Sequence, residues 1–388
     1  MTQLNFNLNM DTLKDSLMKS NLDDVMKSAM VLVLNEFMEK ERDDYLQVQS
    51  HERSIERTDY RNGYYERDLM ISIGKIRLRV PRTRFGDFSP SIFEKYARCD
   101  QAMVLSMLEM FVNGVSTRKV SAIVQTLCGE DVSKSFVSSL TSKLDPLVNE
   151  WVNRPLNTFV FEYLFVDAMY IKVREYNKVV SKAVYIATAL DDQGYRYVIG
   201  LHIDHVESFE SWSKFFQLLK SRGLSSPKLT ISDAHKGLVK AIEREFIGTS
   251  WQRCNVHFKR NIVTTFPKKD STEARKLLKR IFDADTPEEA RTLKQELFDS
   301  FSEDPKYQKG LKILDEGFED SLQFMNFPSK VRVHIRSTNS LERLNQEVRR
   351  RERVIRIFPN HQSAFRLIGA VLMEYDKQLR TKNKRYSL

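Results

Sequence analysis

The stretch YLFVDAMYIKV (163–173) decides how the chain is read, together with KAVYIATAL (182–190) and RYVIGLHI (196–203) that follow it. All three runs are rich in Val, Ile and Tyr and read as strands, with the DDQG turn (191–194) between the second and third. SFESWSKFFQLLKSRG (208–223) then reads as a helix with Phe209, Trp212, Phe216 and Leu219 on one face. KLTISD (228–233) is a fourth strand, GLVKAIEREF (237–246) a helix and SWQRCNVH (250–257) a short fifth strand.

Three strands, helix, strand, helix, strand is the order of an RNase H-like α/β core. In that order the first and fourth strands lie side by side. Asp167 interrupts an otherwise apolar strand, where a carboxylate is costly to bury unless it is paired or binds a cation. Asp233 ends the fourth strand, and groups just past strand ends face the functional crevice of an open sheet. Two aspartates meeting there suit metal-assisted phosphoryl transfer, with Mg2+ held by one or two carboxylates and substrate oxygens. A third acid is expected on a later helix. Glu342 falls in the first turn after the capping residues Ser337, Thr338 and Asn339, while Glu347 lies about 140° further round. From spacing alone, Glu342 reads better as a carboxylate that complements the helix dipole.

The flanking regions are mostly helical. Residues from about 11 to 55 carry Leu13, Leu17, Met30, Leu34, Phe37 and Met38 at helical spacing, compatible with a dimerising helix. RDLMISI (67–73) and KIRLRV (75–80) form a hairpin around Gly74, with Arg77, Arg79, Arg82 and Arg84 close together. Two short helices follow. Ser116 caps the first, with Val120, Ile123, Val124 and Leu127 inward; Gly129 ends it. Ser133 caps the second, with Phe136, Val137, Leu140 and Leu144 inward and Lys134, Ser135, Ser138, Ser139, Ser142 and Lys143 outward. That is the shape of a helix-turn-helix, although helical pairs of this kind also occur without DNA. Residues 258–330 are helical and highly charged, and 361–378 form a last helix with Ala364, Leu367, Ile368 and Leu372 inward. Arg349, Arg350, Arg351 and Arg353 share the helix of Glu342 and read as a grip on phosphates. Arg343, Lys259 and Arg260 join them as candidate DNA contacts. Cys254 and His257 make a C-x2-H pair that cannot fill a zinc site alone and reads as packing or active-site support. His235, Asn339 and Asn345 are further candidates for support.

Composition sets broad bounds. Among 388 residues, 62 Lys plus Arg against 52 Asp plus Glu leave a formal net charge of +10, which favours a polyanionic partner. Cys99, Cys128 and Cys254 are too scattered for a disulfide framework and fit a reducing cytosol. MTQLNFNLNMDTLKDSL (1–17) has no basic region ahead of an apolar core, so no secretory signal is read there. No run of about 18 apolar residues argues for a membrane span.

The segments FVDAMYIKVRE (165–175), LTISDAHKGLVKAI (229–242), WQRCNVHFKRNI (251–262) and RSTNSLERLNQEVRRRERVIRIFPN (336–360) resemble bacterial insertion-sequence transposases of the Mutator type. So do RNGYYERD (61–68), PRTRFGDFSP (81–90) and GVSTRKVSAIV (114–124). The resemblance implies an RNase H-like core whose acidic triad is interrupted by an all-helical insertion before the final glutamate. It settles the third acid as Glu342, the glutamate of S-T-N-x-x-E-R. Asp233 lies 66 residues after Asp167 and Glu342 a further 109 on, leaving room for such an insertion.

The expected organisation is a helical region at 1–60, a hairpin at 61–95, a helix-turn-helix domain at 96–155, a catalytic domain at 156–257 and 331–388, and a helical insertion at 258–330. The expected cofactor is a pair of Mg2+ ions, with Mn2+ able to substitute. The partners implied are terminal inverted repeats and target DNA, bound as a homodimer in the cytoplasm and at the nucleoid. The resemblance also implies a copy-out, paste-in route through a circular intermediate. A nuclease that only hydrolyses would use the same triad, and a DNA-binding regulator would use the helix-turn-helix without it.

Overall fold

The computed structural model describes residues 22–48, 57–71, 74–96, 101–128 and 133–381, which form two compact units divided between Ser142 and Lys143. Leu13, Leu17, Cys99 and Gly129 lie outside the described residues, as do the side chains of Leu127, Cys128 and Lys134.

In the first unit, helix α1 (Leu22–Leu46) buries Met38 against a hairpin of β1 (Arg61–Ile71) and β2 (Gly74–Thr83). The strands alternate as the sequence pattern requires: Ile76, Leu78 and Val80 point inward and Lys75, Arg77 and Arg79 outward. Helix α2 (Ser91–Tyr96) adds Ile92 and Phe93 to the same core. The sequence division at residue 60 therefore falls inside one packed core. A second cluster joins α3 (Gln101–Val112), α4 (Thr117–Cys128) and α5 (Lys134–Thr141) through Met107, Val120, Val124, Val137 and Leu140. Ser116 and Ser133 cap as expected, accepting from Lys119 N–H (3.3 Å) and Phe136 N–H (3.1 Å).

One expectation is corrected here. Leu144 does not lie on α5, which stops at Thr141, but begins α6 (Leu144–Asn153) in the second unit. The Thr141 and Ser142 hydroxyls donate to the carbonyls of Ser138 (2.7 Å) and Ser139 (2.6 Å), a local competition with helix propagation.

The second unit is built on a five-stranded sheet of β3 (Phe161–Glu175), β4 (Lys178–Asp191), β5 (Arg196–Asp204), β6 (Leu229–Ser232) and β7 (Ser250–Arg253), in the order β5-β4-β3-β6-β7. β4 runs antiparallel to both β3 and β5, whereas β6 joins β3, and β7 joins β6, in parallel. Tyr176 and Asn177 connect β3 to β4 with φ of 46° and 61°, the pair of left-handed residues that a two-residue hairpin turn needs. Helices α7 (Phe209–Ser221) and α8 (Lys236–Glu245) cover one face with Trp212, Phe215, Phe216, Leu219, Leu238 and Ile242. The parallel strands need crossover helices, and these two supply them.

Between 258 and 330 the described chain contains no strand. Helices α9 (Asn255–Val263), α10 (Ser271–Asp283), α11 (Pro287–Phe301) and α12 (Gln308–Gly317) belong to the same compact unit as the sheet. The chain then forms α13 (Ser329–Ile335), α14 (Asn339–Ile355) and α15 (His361–Thr381).

Helix α15 is tied to the sheet by a buried carboxylate. Asp376 is 2% exposed and accepts from the Val198 N–H of β5 (2.9 Å), Trp151 Nε1 of α6 (3.2 Å) and Arg380 (2.9 Å), with Arg154 at 3.3 Å. Removing it strands an N–H, an indole and a guanidinium in poor solvent. Asp376→Ala should therefore cost about 3–5 kcal/mol, read as a lower denaturation midpoint, and Asp376→Asn less because it keeps one acceptor. An unchanged midpoint for the alanine variant would contradict this role.

Candidate active site

The parallel register of β3 and β6 pairs Tyr163 with Leu229, Leu164 with Thr230 and Phe165 with Ile231. Asp167 lies two residues beyond Phe165, and Asp233 two beyond Ile231. Equal offsets put the two residues level with each other along the β3–β6 pair, and the Asp233 charge acts on the Asp167 carboxyl. The ladder stops at Ser232, and the Asp233 carboxylate accepts from the His235 N–H (3.2 Å) as the chain turns into α8. His235 itself caps α8 through Nδ1, which accepts from Leu238 N–H (3.4 Å), and lies 3.5 Å from Glu207.

Glu342 reaches this corner because α14 is fixed at both ends. Buried Cys254, at the start of α9, accepts at Sγ from the Thr338 N–H (3.3 Å) and Oγ1 (3.2 Å). Its own N–H donates to the Ser232 carbonyl (2.7 Å), and Asn255 N–H donates to the Arg336 carbonyl (3.1 Å). One cysteine thus links the end of the Asp233 strand, the helix of His257 and the first turn of α14. Thr338 occupies the N-cap position, but its hydroxyl serves the sulfur and does not cap. At the other end, Phe358 bonds along β3, with Arg174 N–H to its carbonyl (2.8 Å) and its N–H to the Lys172 carbonyl (2.9 Å). The helix between these ties carries Glu342 and Asn345. Asn345 Nδ2 donates to Asp167 Oδ2 (2.7 Å), and His257 Nε2 lies 2.9 Å from Glu342 Oε1.

The centre concentrates like charge. Burial, followed by the neighbouring charges of Asp233 and Glu342, pushes the Asp167 carboxyl from an ordinary 3.8 to about 7. The Cys254 sulfur, then the Asp167 and Glu342 carboxylates, raise the His257 imidazole to about 9. Protonated His257 therefore offsets part of the negative charge. Oδ1 of Asn345 is buried with no hydrogen-bond partner among the described residues, and Oε1 of Glu342 has only His257 beside it. Oxygen atoms of this kind beside two aspartates could hold a hard cation. Among the described residues no three His, Cys, Asp or Glu side chains converge as a ready ligand shell. Mg2+ does not require one, since it is held by one or two carboxylates with substrate oxygens.

The remaining candidates divide. Glu347 pairs with Arg350 (3.1 Å) and Arg351 (2.5 Å), away from the acids. Arg351 is buried and folded back on Glu347, so the notion of an unbroken phosphate-gripping run is corrected; Arg343, Arg349 and Arg353 are exposed. Asn339 is exposed at the start of α14. Ser135, Ser138 and Lys143 are exposed, Lys143 at the head of α6 in the second unit. On the hairpin, Arg82 lies 5.6 Å over the Tyr65 ring and Arg84 is exposed. Lys259 and Arg260 follow His257 on α9 and line a cavity. The Cys254–Thr338 tie and the Phe358 bridge had no signal in the sequence beyond the C-x2-H spacing.

The family model described as Transposase, Mutator family, matches residues 1–381. The chain is 50% identical over 386 residues to the transposase for insertion sequence element IS256 in transposon Tn4001 of Staphylococcus aureus, covering 100% of this chain and 99% of that protein. It is 39% identical to the transposase for ISRM5 of Rhizobium meliloti, over 90% of this chain and 87% of that protein. It is 35% identical to the transposase for IS1081 of Mycobacterium tuberculosis, over 90% and 84%.

The raised Asp167 carboxyl has a consequence for stability. Below pH 4 both folded and unfolded chains hold this proton. Between about 4 and 7 only the folded chain does, so its stability falls as pH rises, and the loss is complete above 7. Metal-free Asp167→Asn lacks the titration and should be more stable than the parent above pH 7 by about 2 kcal/mol, allowing for water at the half-buried group. The gain should vanish near pH 4; a gain independent of pH in denaturant titrations would rule out the electrostatic origin.

Proposed function

This chain belongs to the Mutator family of insertion-sequence transposases, and we propose that it cuts and joins DNA at a single centre formed by Asp167, Asp233 and Glu342. The reading is supported most by the equal offset of the two aspartates past the β3–β6 ladder, with Glu342 brought to the same corner by α14. The strand order β5-β4-β3-β6-β7 suits an RNase H-like core, and the helices from α9 to α12 suit an insertion between the second and third acids.

The substrate would be the terminal inverted repeats of the element, followed by target DNA. Asp167 and Asp233 would hold two Mg2+ ions, with Glu342 completing the second site and Mn2+ a fitting substitute. When bound, such ions polarise the scissile phosphate and favour the deprotonated nucleophile. The chain's own residues then position the reaction. Asn345 orients the Asp167 carboxylate through Nδ2, and His257 holds Glu342 while balancing the charge of the acids. Cys254 keeps the first turn of α14 in register with β6. α4 and α5 would form the helix-turn-helix that reads repeat DNA, with Ser135 and Ser138 outward. Arg82, Arg84, Arg343, Arg349, Arg350 and Arg353 would contact backbone phosphates. A nick would free a 3′ hydroxyl that attacks another phosphodiester, within a copy-out, paste-in route through a circle. Two ends must be handled together, which calls for a homodimer on DNA. No helix of the described residues is long and apolar enough to cross a membrane.

The test is a strand-transfer assay on an oligonucleotide carrying the DNA that flanks the reading frame. Joined products are expected, and hydrolysis alone would overturn the transfer step. Asp167→Asn, Asp233→Asn and Glu342→Gln should each lower joining on the order of 10²–10³-fold while leaving DNA affinity nearly unchanged. Cys254→Ala should lower it by about 10–100-fold through misplacement of α14, and Cys254→Ser, which keeps an acceptor, by less.

A further inference from the structure

Beyond the acidic corner, α9 and α10 border an open cavity of about 430 Å³ lined by Lys259, Arg260, Val263, Thr264, Arg275 and Lys279. Four of its six lining side chains are cationic. No ion pair to a carboxylate neutralises any of the four among the described residues. The contrast along α10 is informative. Lys276 pairs with Glu273 (3.7 Å) and Arg280 with Glu296 (3.3 Å), so this helix does neutralise its outward cations. Asp283, the acid nearest Lys259, is taken by Arg336 (2.7 Å). Arg275 and Lys279 stand four residues apart on one helical face, where like charges repel. They look toward two more cations on α9. Burial, then Arg336 and Lys279, hold the Lys259 ammonium below its ordinary range, as expected of a cation kept among cations.

We propose that this cavity is a seat for a DNA backbone phosphate next to the one under attack, so that the helical segment after β7 grips the strand being cut. The inference rests on the transposase reading above. Its position supports DNA over a free anion: Arg260 lies three residues past His257 on α9, about 4.5 Å along the helix axis, and His257 touches Glu342. The lining offers no aromatic ring to stack on a base, and only Thr264 among its side chains could accept a hydrogen bond from one. Its contribution should be independent of sequence. The volume suits the backbone of about one nucleotide, presented from the edge of a bound strand.

The probe is a random-sequence duplex bound by the full, metal-free chain over a range of salt. Losing one phosphate contact makes the slope of log K against log salt shallower by about 0.9. Arg275→Gln with Lys279→Gln should flatten the slope by about 0.9 and weaken binding at low salt. Lys276→Gln with Arg280→Gln, on the same helix but outside the cavity, should leave the slope as in the parent. Both pairs are exposed, and matching circular dichroism spectra will confirm folding. A parental slope for the cavity pair, or an equal loss in the control pair, would overturn the proposal while leaving the transposase reading intact. Absence of duplex binding by the parent chain would overturn both.

Discussion

The parallel pairing of β6 with β3 is the constraint on which the rest depends. Three residues of ladder fix the register, and that register alone decides whether Asp167 and Asp233 meet. A slip of one residue would send one carboxylate to the opposite face. The pairing is made secure from both sides. β4 runs with β3 along its whole length, and α7 and α8 bury an aromatic layer centred on Trp212, Phe215 and Phe216 beneath the sheet. Asp167 stands in the middle of β3 with β4 paired along it, and Asp233 lies just past the end of β6.

Bringing acids together has an electrostatic cost that the surroundings partly answer. Asp167 resists ionisation because it is buried and because Asp233 and Glu342 are near, and His257 carries a compensating charge. Cys254 serves both needs. Its sulfur fixes Thr338 and raises the basicity of His257. The C-x2-H spacing is therefore explained by mechanics and charge, with no zinc invoked. Glu342 does not stand free as a helix-dipole residue would, since it lies against a histidine on another helix.

Much of this was legible in the sequence. The strand order and the two aspartates follow from β-branched runs, a turn and an interrupting carboxylate. The caps Ser116 and Ser133 follow from local chemistry. Long-range ties did not, because periodicity carries no information about partners far apart in the chain. Asp376 bonds to Val198 across 178 residues, and Cys254 to Thr338 across 84. Nor could composition divide the arginines of α14: that Arg351 folds back on Glu347 while Arg349 and Arg353 stay exposed depends on the packing of the helix face. The break between α5 and α6 was missed because the apolar spacing continues through Leu144 while hydroxyls intercept the backbone. The unpaired cations around the α9–α10 cavity are visible only once their neighbours' ion pairs are known.

The central claim, that one two-ion centre draws on three distant segments, is tested most directly by iron-directed backbone scission. Fe2+ replacing Mg2+ would generate radicals at the site in the presence of ascorbate and peroxide, and fragments would be mapped by mass spectrometry. The account predicts cuts clustered near Asp167, Asp233 and Glu342 together, all suppressed by excess Mg2+. Cuts near only one of the three, or a pattern that Mg2+ leaves unchanged, would contradict it.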